Sequence, residues 1–194
     1  MYSKGDFAKR LLQVIEDDIL PLTRAEVARG NKIFGAALLD KKSLKTIIAE
    51  TNNEIENPLW HGEMHALKKF YEIPEQQRPA SSELLFLSTH EPCSLCLSAI
   101  TWCGFDNFYY FFSHQDSRDE FAIPHDLKIM KEVFGQEEYQ SENDFWKSCA
   151  ISELIKLADN RKPLTLQAER IKEQYSTLSA RYQQYKSDNK IPFN

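Results

Sequence analysis

Two short segments, NPLWHGEMHAL at residues 57–67 and THEPCSLCLSAI at residues 89–100, decide how this chain folds. In each segment a proline comes just before apolar residues at helical spacing, which predicts the first turn of a helix. The first helix, predicted over residues 59–71, carries His61 and Glu63 near its N-terminus. The segments therefore predict two helices that begin with chemically active side chains.

Around these segments, strand and helix patterns alternate. Apolar or β-branched runs with turn residues at their ends predict strands, and the first two runs predict a hairpin. A helical pattern opens the chain over residues 6–28, with Pro21 as a kink or break, and another covers residues 125–134. Alternation of this kind indicates an α/β layered sheet. The predicted strands lie at residues 32–39, 44–49, 83–89 and 107–113.

The last fifty residues give a different pattern. From residue 143 onward no strand is predicted, and apolar residues recur at four-three spacing between Ile171 and Tyr185. We interpret this part as a helical extension whose apolar stripe docks on its own domain or on a dimer mate. The final segment, KSDNKIPFN, is expected to be frayed or loosely docked.

Composition limits the classes of function. The 194 residues carry 24 Lys and Arg against 29 Asp and Glu, a formal net charge of −5, which disfavours nucleic acid as a partner. No apolar run is long enough for a signal peptide or a bilayer span, so we predict a cytoplasmic protein without membrane contact. Four cysteines are too few for a disulfide framework in a chain of this length. Reduced thiols and metal binding are the better interpretation.

Three side chains have the types and spacing of a zinc site. Cys93 and Cys96 are three residues apart, so two thiolates in one helical turn can share an ion with His61. Three protein ligands leave a fourth position for water, as in catalytic sites, and we expect one Zn²⁺ per chain. Glu63 lies two residues beyond the histidine, where it can move protons beside that water without binding the metal.

Other interpretations of the same residues remain open. A Cys-x-x-Cys pair with one histidine also occurs in structural zinc sites, which have four protein ligands, and in cores without any metal. The candidates for a fourth ligand are His65, His90 and Cys103; His65 lies one turn after His61. Cys103 and Cys149 lack motif partners and are assigned no role.

The complete pattern, HGE followed by PCSLC, resembles the cytidine and deoxycytidylate deaminase superfamily. The resemblance covers roughly residues 5–140 and includes FGAALL at 34–39 and the aromatic strand NFYYFF at 107–112. It implies a three-layer α/β/α fold with a central five-stranded mixed sheet. We therefore divide the chain into a zinc-dependent deaminase domain, residues 1–142, and a helical C-terminal extension, residues 143–194.

The resemblance also implies roles for particular residues. His61, Cys93 and Cys96 would be the zinc ligands, and Glu63 the proton shuttle as zinc-bound hydroxide attacks the amino-bearing ring carbon and ammonia leaves. The backbone N–H of Gly62 would hold a substrate carbonyl. Further candidates for substrate contact are an aromatic that stacks on the base, an asparagine before the histidine, and two residues that line the pocket: Phe34, Asn52 or Asn53, Trp102 and Asp126.

Within the superfamily the chain looks most like bacterial guanine deaminases, because ITWCGFDNFYY is followed by an acidic helical stretch. A guanine-type purine base is the favoured substrate, and because relatives of this branch are usually dimers, we expect a homodimer. A cytosine, cytidine or nucleotide deaminase is the alternative. Two further alternatives are a tRNA-editing deaminase, against which the acidic charge argues, and a non-catalytic zinc-binding module, against which the intact Glu63 argues.

Overall fold

The computed structural model of the chain describes residues 2–193, and it confirms the three-layer α/β/α class. A five-stranded mixed sheet with the order β2-β1-β3-β4-β5 forms the middle layer. Strand β1 pairs antiparallel with β2 and β3, whereas β3–β4 and β4–β5 are parallel. The strands are β1 Gly35–Asp40, β2 Thr46–Thr51, β3 Leu84–His90, β4 Asn107–Phe112 and β5 Lys147–Ala150.

Helices cover both faces of this sheet. The α-helices are α1 Lys4–Gln13, α2 Leu20–Arg29, α3 Gly62–Glu72, α4 Ser94–Trp102, α5 His114–Asp119, α6 His125–Ile129, α7 Ile151–Lys156 and α8 Arg161–Tyr185. One apolar core lies between the sheet and α1, α2, α7 and α8, and a second lies between the sheet and α3 with α4. Side chains of β1 alternate between the two cores, as a strand buried on both faces requires. Among the helices of residues 2–193, none has both the length and the apolarity needed to span a bilayer.

The break predicted in the opening helix is a widened helical segment and not an interruption of the helix. Residues Val14–Ile19 are π-helical and connect α1 to α2, and Pro21 lies in the first turn of α2. Proline has no N–H to donate and crowds the preceding turn, so a widened turn before it keeps the helix continuous. The apolar residues of this segment, Val14, Ile15 and Ile19, are fully buried.

Two predictions about the start of the site helices need adjustment. Helix α3 begins at Gly62 with His61 as its N-cap, so Pro58 lies in the preceding turns and not in the first turn. Helix α4 likewise begins one residue after Cys93, which caps it. Both changes place the motif side chains closer to the helix ends than the proline positions indicated.

The prediction that no strand follows residue 143 is wrong. Strand β5, Lys147–Ala150, adds to the edge of the sheet beside β4. Its sequence, KSCA, is too short and too polar to give a strand signal, because an edge strand of four residues gains its stability from pairing with β4. The division at residue 142 stays a prediction, but the last strand of the sheet lies beyond it.

The C-terminal extension packs on the chain itself. Four of the five stripe positions on α8, Ile171, Tyr175, Leu178 and Tyr182, are buried in the same core as α1, and Tyr185 is exposed. The segment after α8 is docked more firmly than predicted: Ile191 is buried, and Asn189 Nδ2 donates to Gly30 O at 2.8 Å. The chain end described by the structure therefore lies against the domain.

Candidate active site

The three predicted metal ligands meet between the N-termini of α3 and α4. Their ligand atoms all lie within 4.8 Å of one another. His61 Nδ1 is 3.5 Å from Cys93 Sγ and 3.7 Å from Cys96 Sγ. A tetrahedral zinc ion with bonds of about 2.3 Å to sulfur and about 2.05 Å to nitrogen separates those atoms by about 3.6 Å. The donor set and its spacing thus fit zinc.

The three side chains of this cluster influence one another's pKa values. Hydrogen bonding with Cys96 and the nearby imidazole of His61 hold the pKa of Cys93 well below its usual range. Burial opposes a charge on His61, but the contact with Cys93 outweighs it and raises the pKa of His61 to about 9. Burial raises the pKa of the Cys96 thiol. Zinc binding would release the protons of His61 and Cys96, because zinc takes neutral imidazole and thiolate as ligands.

Glu63 is buried beside the cluster without belonging to it. One carboxylate oxygen accepts a hydrogen bond from Ser88 Oγ at 2.7 Å, and the other lies 3.4 Å from Cys96 Sγ. Burial and the charge of Cys93 raise the pKa of Glu63, whereas the bond from Ser88 opposes that rise. A carboxyl with a raised pKa is suited to proton transfer near neutral pH. Ser88 was not a sequence candidate, because one serine in a strand carries no signal.

The alternative fourth ligands lie elsewhere. The ring of His65 faces away: its Nδ1 is 3.0 Å from Thr51 O and 3.2 Å from Glu50 Oε2. His90 is enclosed by aromatic rings, including Phe34 at 4.6 Å between centroids. Cys103 caps the opposite end of α4. Within residues 2–193, the cluster therefore offers three protein ligands, and the fourth position is left for another molecule.

A cavity of about 410 Å³ opens on one side of His61 and Cys93. Most of its walls are apolar, and its polar members include Lys32, Glu54 and Asp126. Burial raises the pKa of Asp126 to about 7, and the negative charge of Cys93 adds to this rise. The apolar lining consists of Phe34, Pro58, Leu59, Leu95, Ile123, Ile129, Pro192 and Phe193.

The structure brings some of the predicted substrate residues to the cavity and leaves others away from it. Phe34 and Asp126 line the cavity, but Trp102 is 90% exposed and does not. Asn52 and Asn53 are buried behind it: Asn52 Nδ2 donates to Glu54, and Asn53 Nδ2 donates to Glu56. The structure thus places Phe34 and Asp126 in the cavity wall and does not place Trp102, Asn52 and Asn53 there, and the substrate contacts of all five stay predictions.

The backbone N–H of Gly62, expected to hold a substrate carbonyl, already donates to Asn52 Oδ1 at 2.6 Å. Glycine at this position has a steric reason: a Cβ would lie 2.6 Å from the Cα of Gly35, at the start of β1. The close approach of these two backbones brings the beginning of α3 against the sheet. This contact joins two glycines that are distant in sequence, so the local sequence does not predict it.

Several cavity residues were missed by the sequence analysis. Lys32 and Glu54 lie in loops without a motif, Ile123 precedes the helix predicted over residues 125–134, and Ile129 lies within it. The apolar pair Pro192 and Phe193, after a charged segment, was a weak signal that the chain end has a partner. These residues are distant in sequence from the motif, so only the fold reveals that they share its cavity.

Comparison with known families agrees with this geometry. The model of the "Cytidine and deoxycytidylate deaminase zinc-binding region" matches residues 14–112, just over half of the chain. The chain belongs to this family. The family members are hydrolytic enzymes that act on C–N bonds, and this deaminase carries the family's zinc-binding region with a possible metal site at His61, Cys93 and Cys96.

Solved structures show the same fold at low sequence identity. Guanine deaminase from Nitrosomonas europaea matches with a TM-score of 0.56 and 19% identity, over 84% of this chain and 81% of that chain. Guanine deaminase from Bacillus subtilis matches with a TM-score of 0.51 and 22% identity, over 75% of this chain and 83% of that chain. A comparison with curated proteins found no match for this deaminase.

Proposed function

We propose that this enzyme is a zinc-dependent deaminase of a free nucleobase, with a guanine-type purine as the favoured substrate. The observation that carries the proposal is the position of Glu63: it is 4% exposed, lies 3.4 Å from one cluster cysteine and is not part of the cluster. A structural zinc site has no need of a buried carboxylate there, whereas hydrolysis of a C–N bond needs a group that moves protons.

In the proposed mechanism the cluster binds the metal and Glu63 transfers protons. His61, Cys93 and Cys96 would hold one zinc ion, which supplies a coordinated water of lowered pKa. Deamination adds water to the amino-bearing ring carbon and breaks its bond to nitrogen, so that a carbonyl and ammonia are formed. Glu63 accepts one proton from the water and passes it to the ring nitrogen, and then moves the remaining hydroxyl proton to the amine, which leaves as ammonia. Ser88 holds the carboxyl in place for these transfers.

The cavity favours a base over a nucleotide. Lys32 is its buried cation, and its ammonium is paired with Glu54 at 2.8 Å. With the carboxyl of Asp126 also present, the wall offers little attraction for a phosphate. Apolar walls with a few polar groups suit a flat heterocycle, and Phe34 is placed to pack against its ring.

A purine with N–H donors fits the acidic wall better than cytosine does. Beside its reacting amino group, guanine has a ring N–H donor, which a carboxylate such as Asp126 accepts. The solved structures that share the fold support the same choice: two are of guanine deaminases, and a further one is of a single-residue variant of NE0047 in complex with 8-azaguanine. Cytosine remains the second candidate.

The test is ammonia release by the zinc-loaded protein from guanine, cytosine, adenine and their nucleosides and nucleotides. We expect the largest kcat/KM on guanine, with nucleotides the poorest, and no turnover above background by Glu63→Ala. Activity that survives in Glu63→Ala would contradict the mechanism. Preference for cytosine, or for a nucleotide, would contradict the substrate assignment and leave the mechanism in place.

A further inference from the structure

A buried ion pair lies in the wall of the cavity and is not used by the proposed mechanism. Lys32 Nζ donates to Glu54 Oε1 at 2.8 Å, and the two side chains are only 7% and 2% exposed. Lys32 lies in the loop before β1 and Glu54 in the loop between β2 and α3. Burying two charges is costly even when they pair, so stability alone is a weak reason for such a pair.

Glu54 is fixed from two sides and faces a metal ligand on a third. Lys32 binds one carboxylate oxygen, and Asn52 Nδ2 donates to the other at 2.7 Å. The oxygen bound by Lys32 is also 3.8 Å from His61 Nε2. Asn52 in turn accepts the backbone N–H of Gly62. A polar network therefore runs from Lys32 to the N-terminus of α3, where His61 is the cap.

The two nitrogens of His61 face opposite partners. Nδ1 points at the two cysteines, and Nε2 points at Glu54. A ligating histidine commonly gives its second N–H to a carboxylate, which fixes both the tautomer and the orientation of the ring. The separation of 3.8 Å is longer than a hydrogen bond, and a shift of about 1 Å would form one.

We propose that Glu54, held by Lys32, is a positioning residue for His61: it keeps the ring proton on Nε2 and leaves Nδ1 for the metal. This inference rests on the proposed function in one respect, the role of His61 as a ligand. The nearby carboxyl of Glu63 is not available for the same task, because Ser88 and Cys96 are its neighbours. Among residues 2–193, the acidic partner of His61 is Glu54.

The test measures the zinc dissociation constant by competition with a chromogenic chelator. Partners of this kind change metal affinity by about 10–100-fold, so we expect Glu54→Gln to bind zinc that much more weakly than the wild type. Glu56→Gln is the matched control, because Glu56 lies in the same loop, is exposed, and contacts Asn53 instead of His61. It should bind zinc as the wild type does.

The double variant Lys32→Met/Glu54→Gln separates positioning from a purely structural role, since it removes both buried charges together. If the pair only supports the fold, the double variant regains wild-type zinc affinity once thermal unfolding shows that it is folded. If Glu54 positions His61, affinity stays about 10–100-fold weaker in the folded double variant. The absorption bands of the cobalt-loaded protein should also differ from those of the wild type, because the histidine ligand is reoriented.

Failure of this inference and failure of the proposed function give different results. A folded double variant with wild-type zinc affinity and an unchanged cobalt spectrum would overturn the role of Glu54 alone. If His61→Ala binds zinc as tightly as the wild type, the metal centre itself is wrong, and the inference falls with it. If His61→Ala loses zinc and the folded double variant binds zinc weakly, the results support both the metal centre and the positioning role of Glu54.

Discussion

The two sides of the cavity come from different kinds of chain segment. The motif side has His61 and Cys93 in the cavity wall, with Glu63 and Cys96 beside them at the same two helix N-termini, and all four were candidates from the sequence. The far side comes from the loop before α6, from α6 itself and from the chain end, between 30 and 100 residues after Cys93. The difference indicates that short, local patterns carry the candidate reaction chemistry, whereas distant segments form the wall that we propose selects the substrate.

Removal of zinc is expected to have the largest effect on the motif side. Exhaustive chelation, or Cys96→Ser, should reduce ammonia release to background, because the cluster then lacks the ion that activates water. Metal content by atomic emission and turnover should fall together, and zinc added back to the chelated protein should restore both. Turnover without bound metal would show that the cluster is not the reaction centre.

The next largest effect is expected for Glu63→Gln. The amide keeps the size of the side chain and cannot cycle a proton, so kcat should fall about 10²–10⁴-fold. Zinc content should stay at one ion per chain, which separates this variant from the cysteine variant. A fall in kcat that merely follows loss of zinc would mean that Glu63 supports the cluster and does not catalyse.

Ser88→Ala is a second test of the proton-transfer role of Glu63. It removes the 2.7 Å hydrogen bond that holds the Glu63 carboxyl and leaves the metal ligands untouched. A hydrogen bond to a charged group contributes about 1.5–3 kcal/mol, so kcat should fall by about 10–100-fold, less than for Glu63→Gln. A loss as great as that of Glu63→Gln would indicate that Ser88 itself takes part in proton transfer.

On the far side, Asp126→Asn should change substrate preference more than chemistry. The loss of one carboxylate acceptor in an apolar cavity is expected to lower kcat/KM for guanine about tenfold. The reduction should appear mainly in KM, and cytosine should be affected less. Equal losses on both bases would contradict a selective role for Asp126.

Phe193→Ala tests whether the chain end contributes to binding. Phe193 lines the cavity although it is 68% exposed, so we expect KM to rise about two- to tenfold with kcat unchanged. Trp102→Ala is the matched aromatic control, since Trp102 lies outside the cavity lining and its replacement should change kcat/KM by less than about twofold. A larger effect of Trp102→Ala on turnover would indicate that its exposed face meets a second subunit.

The sequence by itself indicated the candidate metal ligands, the candidate proton carrier and the layered α/β class. The Cys93–Cys96 pair and the position of Glu63 after His61 follow from short spacings, and the class follows from the alternation of strand and helix patterns along the chain. The resemblance to known deaminases added the five-stranded sheet, although its last strand, Lys147–Ala150, is too short and polar to be recognised without the neighbouring strand.

Only the tertiary structure decided which residues complete the cavity. In the folded chain Trp102 lies at the surface, and Asn52 accepts a hydrogen bond from the backbone N–H of Gly62. Lys32 and Glu54 form an ion pair beside His61. These contacts join segments from separate loops and helices, so their geometry depends on how the whole chain packs. Local spacing can predict a zinc site, but the shape and charge of the cavity arise from packing between distant parts of the chain.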